Sequence, residues 1–153
     1  MSESVRLRTA VATGRAEVYT ALTDASQLVG LVDGLVSLHP ARTKGNAGGS
    51  PDEGAEFSAV MRLGPAQVHS RLVLARLVPG ETVEWVSKDD DDRALSFTLA
   101  DGDVPGVTRV LLAVTYELPP GVKGVLARPV VEQAVRSHAR RTLFNMKERF
   151  GVA

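Results

Sequence analysis

The stretch RPVVEQAVRSHARRTLFNMKERF, Arg128 to Phe150, decides the fold. Its apolar side chains Val131, Val135, Ala139, Leu143, Met146 and Phe150 recur every three or four residues, the period of one helix face, while Gln133, Arg136, Arg140 and Lys147 fall on the other side. Pro129 suits a first helical turn, where its missing N–H would be unpaired in any case. Glu132 sits near the positive end of the helix dipole, and Gly151 follows as a stop. At about 1.5 Å per residue such a helix runs roughly 33 Å, longer than a small hydrophobic cluster needs, so it is expected to lie across something broad such as a sheet.

The chain before it supplies the strands. Ser4 to Val11 alternates, with Val5, Leu7, Thr9 and Val11 on one side and Arg6 and Arg8 on the other, until Thr13-Gly14 ends it. From Arg15 the period becomes helical through Val18, Tyr19 and Leu22, then Leu28 and Leu31. The interruption near Asp24-Ala25-Ser26 predicts two short helices, the second capped by Asp24 or Ser26. Gly34 separates these from a strand over Leu35 to Lys44, which Pro40 confines to an edge or a bulge. The run Gly45 to Gly54 reads as a loop, and Glu56 to Leu63 reads as a strand ending at the turn Gly64-Pro65. Ala66 to Leu77, Thr82 to Lys88, Arg93 to Ala100 and Val107 to Leu118 are four more strands. They are separated by Pro79-Gly80, by the acidic run Asp89 to Asp92 and by Asp101-Gly102-Asp103, and Pro119-Pro120-Gly121 precedes the long helix. The count is seven strands, two short helices after the first, and one long helix at the end, with no repeat or linker dividing the chain.

The 153 residues are read as one α+β domain, 1–153, large enough for a core and a pocket. Eighteen basic and eighteen acidic residues cancel, so no charge surplus points to nucleic acid or an anionic membrane. The absence of cysteine removes disulfides and thiolate chemistry, and no apolar run approaches the roughly 20 residues of a membrane span, so a cytoplasmic protein is expected. With one Trp, two Tyr and four Phe, the interior has to be built mostly from Val, Leu and Ala.

With RAEVYTALTD after the first strand, LVPGETVEW in the middle, GVTRVLLAVTYEL in the last strand and TLFNMKERF at the end, the chain resembles the SRPBCC (START-like, Bet v 1-like) superfamily over its whole length, nearest its polyketide cyclase/dehydrase and lipid-transport branch. The resemblance implies a helix-grip fold: a curved, seven-stranded antiparallel sheet around the long C-terminal helix, with a cavity between them for apolar or amphipathic small molecules. Relatives carry an aromatic and a proline where this chain has Gln27-Leu28-Val29-Gly30-Leu31-Val32-Asp33-Gly34, so the resemblance implies an aliphatic mouth here.

In that arrangement Phe57, Met61, Leu72, Leu74, Trp85, Phe97, Leu112 and Tyr116 line the cavity with His138 and Thr142 of the helix, unless they simply fill a core. Trp85 and Tyr116 carry polar handles that want a partner when buried. On Ala66 to Leu77, turning Val68, Leu72 and Leu74 inward also turns Ser70 inward and sends His69 and Arg71 outward, a parity that a one-residue bulge would reverse. His138, at the margin of the apolar stripe, would meet a ligand or bond a neighbour. Asp89 to Asp92 lacks the spacing of a calcium loop, the three histidines are scattered, and no nucleophile elbow, P-loop or dinucleotide fingerprint occurs, so neither metal nor cofactor is expected. Arg136, Arg140, Arg141 and Lys147 form a basic stripe, and Phe144 on that polar side would pack under a loop or mark a self-association contact, as in a homodimer.

The leading expectation is a protein that binds a hydrophobic or polyketide-like molecule. The alternative is a cyclase/aromatase-type enzyme using Ser70, Tyr116 or His138 as its catalytic groups. A second alternative is an interaction module like the coenzyme Q-binding or ribosome-associated relatives, working through the basic stripe and Phe144.

Overall fold

The computed structural model describes residues 2–41, 52–63, 66–88, 93–117 and 127–153. The turn Gly64-Pro65, the acidic run Asp89 to Asp92, the breaker Pro119-Pro120-Gly121 and most of the loop from Gly45 lie outside the described residues. Strand β1 (Ser2–Val11) is followed by helices α1 (Arg15–Thr23) and α2 (Ala25–Leu31). Strands β2 (Leu35–Pro40), β3 (Glu56–Leu63), β4 (Ala66–Val78), β5 (Thr82–Ser87), β6 (Ala94–Asp101) and β7 (Thr108–Glu117) come next, and α3 (Ala127–Phe150) closes the chain.

The strands form one antiparallel sheet in the order β1-β7-β6-β5-β4-β3-β2, so β1 and β2 are its two edges. Pro40, which has no N–H to give to a ladder, is tolerated at the end of an edge strand. Register carries the buried side chains across the sheet in rows. Val5, Val114, Leu95, Trp85 and Leu74 share one row, and Leu7, Leu112, Phe97, Val83 and Leu77 share the next. This inner face receives all three helices and holds the core.

Helices α1 and α2 seal one end of the inner face with Val18, Ala21, Leu22, Leu28 and Leu31, each at most 2% exposed. Asp24 separates them. Its carboxylate accepts from the Ser26 N–H and hydroxyl and from the Gln27 amide, so it serves as the N-cap of α2. The apolar residues between Gln27 and Val32 therefore build a helix whose Leu28 and Leu31 are buried.

Helix α3 is fastened at its end to the first edge strand. The Ala12 N–H donates to the Gly151 carbonyl, the Thr13 hydroxyl donates to the Phe150 carbonyl, and Val152 bridges Val11. Gly151 has φ +97, and a Cβ there would stand 3.2 Å from the Ala12 methyl, so glycine stops the helix and also lets it touch β1.

The hydrogen bonds to Asp24 hold its carboxyl below the ordinary aspartate pKa. Its contribution to stability is therefore present above that ordinary value and lost as pH falls through the lower, folded-state value. Asp24→Ala is expected to cost about 1 kcal/mol in urea unfolding at neutral pH. The gap to the unchanged protein should close as the buffer is taken below the folded-state pKa of Asp24.

Candidate functional site

The inner face is not equally enclosed along its length. Beneath α1 and α2, Leu74, Val83, Trp85, Phe97, Leu99, Val110 and Leu112 are at most 3% exposed. Elsewhere the same face carries Met61, Val68, Ser70, Leu72, Leu95 and Val114, all half-buried, and the side chains Val131 and Val135 on the first half of α3 are half-buried too. Apolar side chains packed solid against a helix would have lost that remaining exposure, so protein atoms leave this part of the face incompletely covered.

The residues expected to line a cavity thus divide. Leu74, Trp85, Phe97 and Leu112 belong to the filled end, joined by Phe57, whose ring meets that of Trp85 edge-on at 5.1 Å. The Trp85 indole N–H donates to the Leu22 carbonyl at 3.4 Å, so its polar handle is engaged by α1. Met61 and Leu72 belong to the half-buried end. Ser70 lies there as well, because β4 pairs with β3 without a shift from Ala66 through Val73, opposing Ser70 to Ala59 and Val68 to Met61. His69 and Arg71 therefore stand on the outer face and are exposed. The bulge in β4 falls later, between Leu74 and Arg76, where it returns Leu77 to the inner face.

Tyr116 is 8% exposed on the last strand, beneath the start of α3. Burial raises its phenol pKa first, the nearby Glu132 carboxylate raises it further, and Arg136 opposes both. The hydroxyl therefore stays protonated and can donate a hydrogen bond. Glu132 and Arg136 are paired at 3.4 Å one helical turn apart. Arg136 is half-buried and its charge is felt at the Tyr116 phenol, which distinguishes it from the exposed Arg140 and Arg141.

Halfway along α3 a polar seam runs beside the apolar stripe. His138 Nδ1 lies 2.6 Å from Asp33 Oδ2, the Asp33 N–H donates to the Thr142 hydroxyl at 3.0 Å, and that hydroxyl donates to the His138 carbonyl. The Asn145 amide donates to the Leu31 carbonyl. These bonds staple the turn between α2 and β2 to the helix. Gly34 has φ +87, and a Cβ on it would lie 3.1 Å from the Arg62 carbonyl oxygen and 3.3 Å from the imidazole, so only glycine admits this approach. Thr142, 3% exposed, is thereby committed to the scaffold. The half-buried His138 has Nδ1 held by Asp33, so this contact engages one of its two ring nitrogens.

Sequence reading singled out His138 and Thr142 but missed Asp33, Asn145 and the Glu132–Arg136 pair. One signal was present: His138, Thr142 and Asn145, spaced by four and three residues, form a polar line adjoining the apolar one. On the far side of the helix, Phe144 and Arg140 separate two recesses. One, of about 230 Å³, lies against β1 and is lined by Leu7, Arg8, Thr9, Leu143 and Lys147 besides those two. The other, an open groove of about 620 Å³, reaches Asp33, Ser137 and Arg141. Among the described residues no group of three or more histidines and carboxylates is placed to hold a metal ion. Among them, too, no helix is long and apolar enough to cross a membrane.

No family model and no curated protein matches the sequence. Solved structures do match in three dimensions. A START superfamily protein from Mycobacterium smegmatis superposes with TM-score 0.77 at 11% identity, covering 96% of each chain. The ginseng major latex-like protein 151 from Panax ginseng gives 0.70 at 8% identity over 97% of each chain. The Zhui aromatase/cyclase from Streptomyces sp. R1128 gives 0.69 at 13% identity, covering 95% of this chain and 91% of the other. The chain has the helix-grip fold of START-like (SRPBCC) proteins. At these identities the likeness establishes the fold and nothing finer.

Replacing Thr142 by Val removes the acceptor of the Asp33 N–H, a loss expected to cost about 1–3 kcal/mol. Thr142→Ser should restore most of it in urea unfolding. Because the Tyr116 phenol is raised on folding, the unfolded chain loses its proton first as pH climbs. Stability is therefore intact below the ordinary tyrosine pKa and falls as pH rises through the raised value. Glu132→Gln should lower the Tyr116 pKa in an NMR titration of the ring carbons.

Proposed function

We propose that the protein binds a hydrophobic, polyketide-like small molecule between the sheet and the first half of α3. The observation that carries this reading is the row of half-buried apolar side chains at Met61, Leu72, Leu95, Val114, Val131 and Val135. Apolar ligand surface buried there contributes about 25 cal/mol per Å² before the cost of association. The ligand's polar end would receive a hydrogen bond from the Tyr116 phenol and exchange one with Ser70, while the Glu132–Arg136 pair rims the same region. A START superfamily protein and an aromatase/cyclase with the same fold support this choice of ligand class. The chain's lack of cysteine suits such a role in the cytoplasm.

A second reading, a cyclase-type enzyme, is favoured by the contact between Asp33 and His138. A carboxylate that fixes the imidazole tautomer leaves Nε2 to take a proton from an activated methylene of a bound polyketone. The resulting carbanion attacks a carbonyl carbon of the same chain. The new alkoxide takes the proton of the Tyr116 phenol. The hydroxyl then leaves as water with the proton held on His138 while the tyrosinate removes the remaining proton of the attacking carbon, which returns both groups to their starting state. The two readings separate cleanly, since His138→Ala and Tyr116→Phe would stop turnover with binding kept only in the second.

The test of the cavity uses the fluorescent probe 1-anilinonaphthalene-8-sulfonate and native mass spectrometry of protein purified from its own host. Leu72→Trp, on the half-buried end, is expected to weaken probe binding at least tenfold and to strip the co-purifying small molecule. His69→Trp, three residues away on the opposite face of the same strand, should change neither. Equal probe affinity in Leu72→Trp and the unchanged protein would remove the basis of the ligand reading.

A further inference from the structure

The recess between α3 and β1 combines three features. Its floor is apolar, formed by Leu7 and by Leu143, which is 6% exposed, and its volume of about 230 Å³ has room for one large side chain. Its rim carries Arg8, Arg140 and Lys147, with Phe144 standing 52% exposed beside them. Among the described residues, no carboxylate pairs with Arg8, Arg140, Arg141 or Lys147, whereas Arg15, Lys88, Arg109 and Arg136 each hold one. One wall is an edge strand. From Ser2 to Ala10, β1 is laddered to β7 on one side only, while Val11 at its end is bridged by Val152, so alternate backbone N–H and C=O groups before Val11 have no strand partner on the other side among the described residues.

We propose that this recess is a docking site for an extended acidic peptide segment of a partner protein. One apolar side chain of the segment enters between Leu7 and Leu143, its carboxylates meet Arg8, Arg140 and Lys147, and its backbone runs along the open edge of β1. Charge decides the occupant. A second copy docked by the same face about a twofold axis would bring two sets of these cations together. A basic or neutral strand would leave three cations half desolvated without a counter-charge. Arg6 and Arg8, outward on β1, act in the same sense: they repel another β1 edge and admit an acidic strand. A recess with an apolar floor also fits an inserted side chain better than the flat surface of an anionic bilayer, which would engage Phe144 and leave the floor empty. Occupancy of the cavity between sheet and helix is not required.

The test is an NMR titration of the ¹⁵N-labelled protein with an acetylated, amidated peptide alternating glutamate with leucine. Amide shifts are expected at Leu7, Arg8, Thr9, Arg140, Leu143, Phe144 and Lys147, weakening as sodium chloride is raised. A double variant, R8E with R140E, both exposed positions, is expected to keep a dispersed spectrum and to bind at least tenfold more weakly. The same peptide with lysine for glutamate should produce no shifts. Absence of shifts at millimolar peptide, or equal affinity of the charge-reversed variant, overturns the proposal. So does perturbation of these amides by phosphatidylglycerol vesicles when the peptide gives none, or concentration-dependent broadening of them in the protein alone.

Discussion

Helix α3 is held to both margins of one sheet. At its C-terminal end the bonds from Ala12 and Thr13 to Gly151 and Phe150 lock it to β1. Halfway along, Thr142, His138 and Asn145 lock it to the turn that leads into β2. Because β1 and β2 are the outermost strands, a single rigid rod can contact both only if the sheet between them bends around it. Twist supplies part of that bend and the irregularities in β2 and β4 supply more. The curvature is thus fixed by where the rod is fastened.

The fastenings are unequally distributed. All of them fall in the second half of α3, from His138 onward, together with its fully enclosed side chains Ala139, Leu143 and Met146. The first half carries Val131 and Val135, both half-buried, and the exposed Val130. The stapled half is therefore enclosed more completely than the first half, where Val131 and Val135 still pack against the core but keep part of their surface exposed. The burial of the stapled half and the closeness allowed by Gly34 and Gly151 account for this division.

Much of this was legible beforehand, because periodicity is a local property. Alternation in β1 and β7 and the helical period of α3 are read from neighbouring residues, and parity along β4 placed Ser70 inward and His69 outward once the strand was assumed regular. Relations between distant residues were not legible. His138 and Asp33 are 105 residues apart, and Trp85 donates to a carbonyl 63 residues before it. No spacing rule connects such pairs, so a tryptophan that looked available to a ligand is bound to α1 instead. Arg136 is a related case: the helical period put it among the solvent-facing cations, and it is half-buried and paired with Glu132.

For the ligand-binding function proposed above, the scarcity of aromatic residues has a further consequence, for selectivity. Phe57, Trp85 and Phe97 are all in the filled end, and Phe144 is outside, so the half-covered end is walled by Met, Leu and Val with Tyr116 at its margin. Aliphatic walls select a ligand by size and apolarity and adapt to its shape, because methionine and leucine repack at low cost. They offer no flat faces for stacking. Discrimination between molecules of equal size must then come from the few polar atoms facing that space, and a phenol held protonated by burial and by Glu132 is a donor that stays a donor across the physiological range. A ligand presenting a carbonyl or ether oxygen at that point satisfies it. One presenting only hydrocarbon there would bury the hydroxyl unpaired, a penalty of about 1–3 kcal/mol that outweighs the gain from an extra methylene.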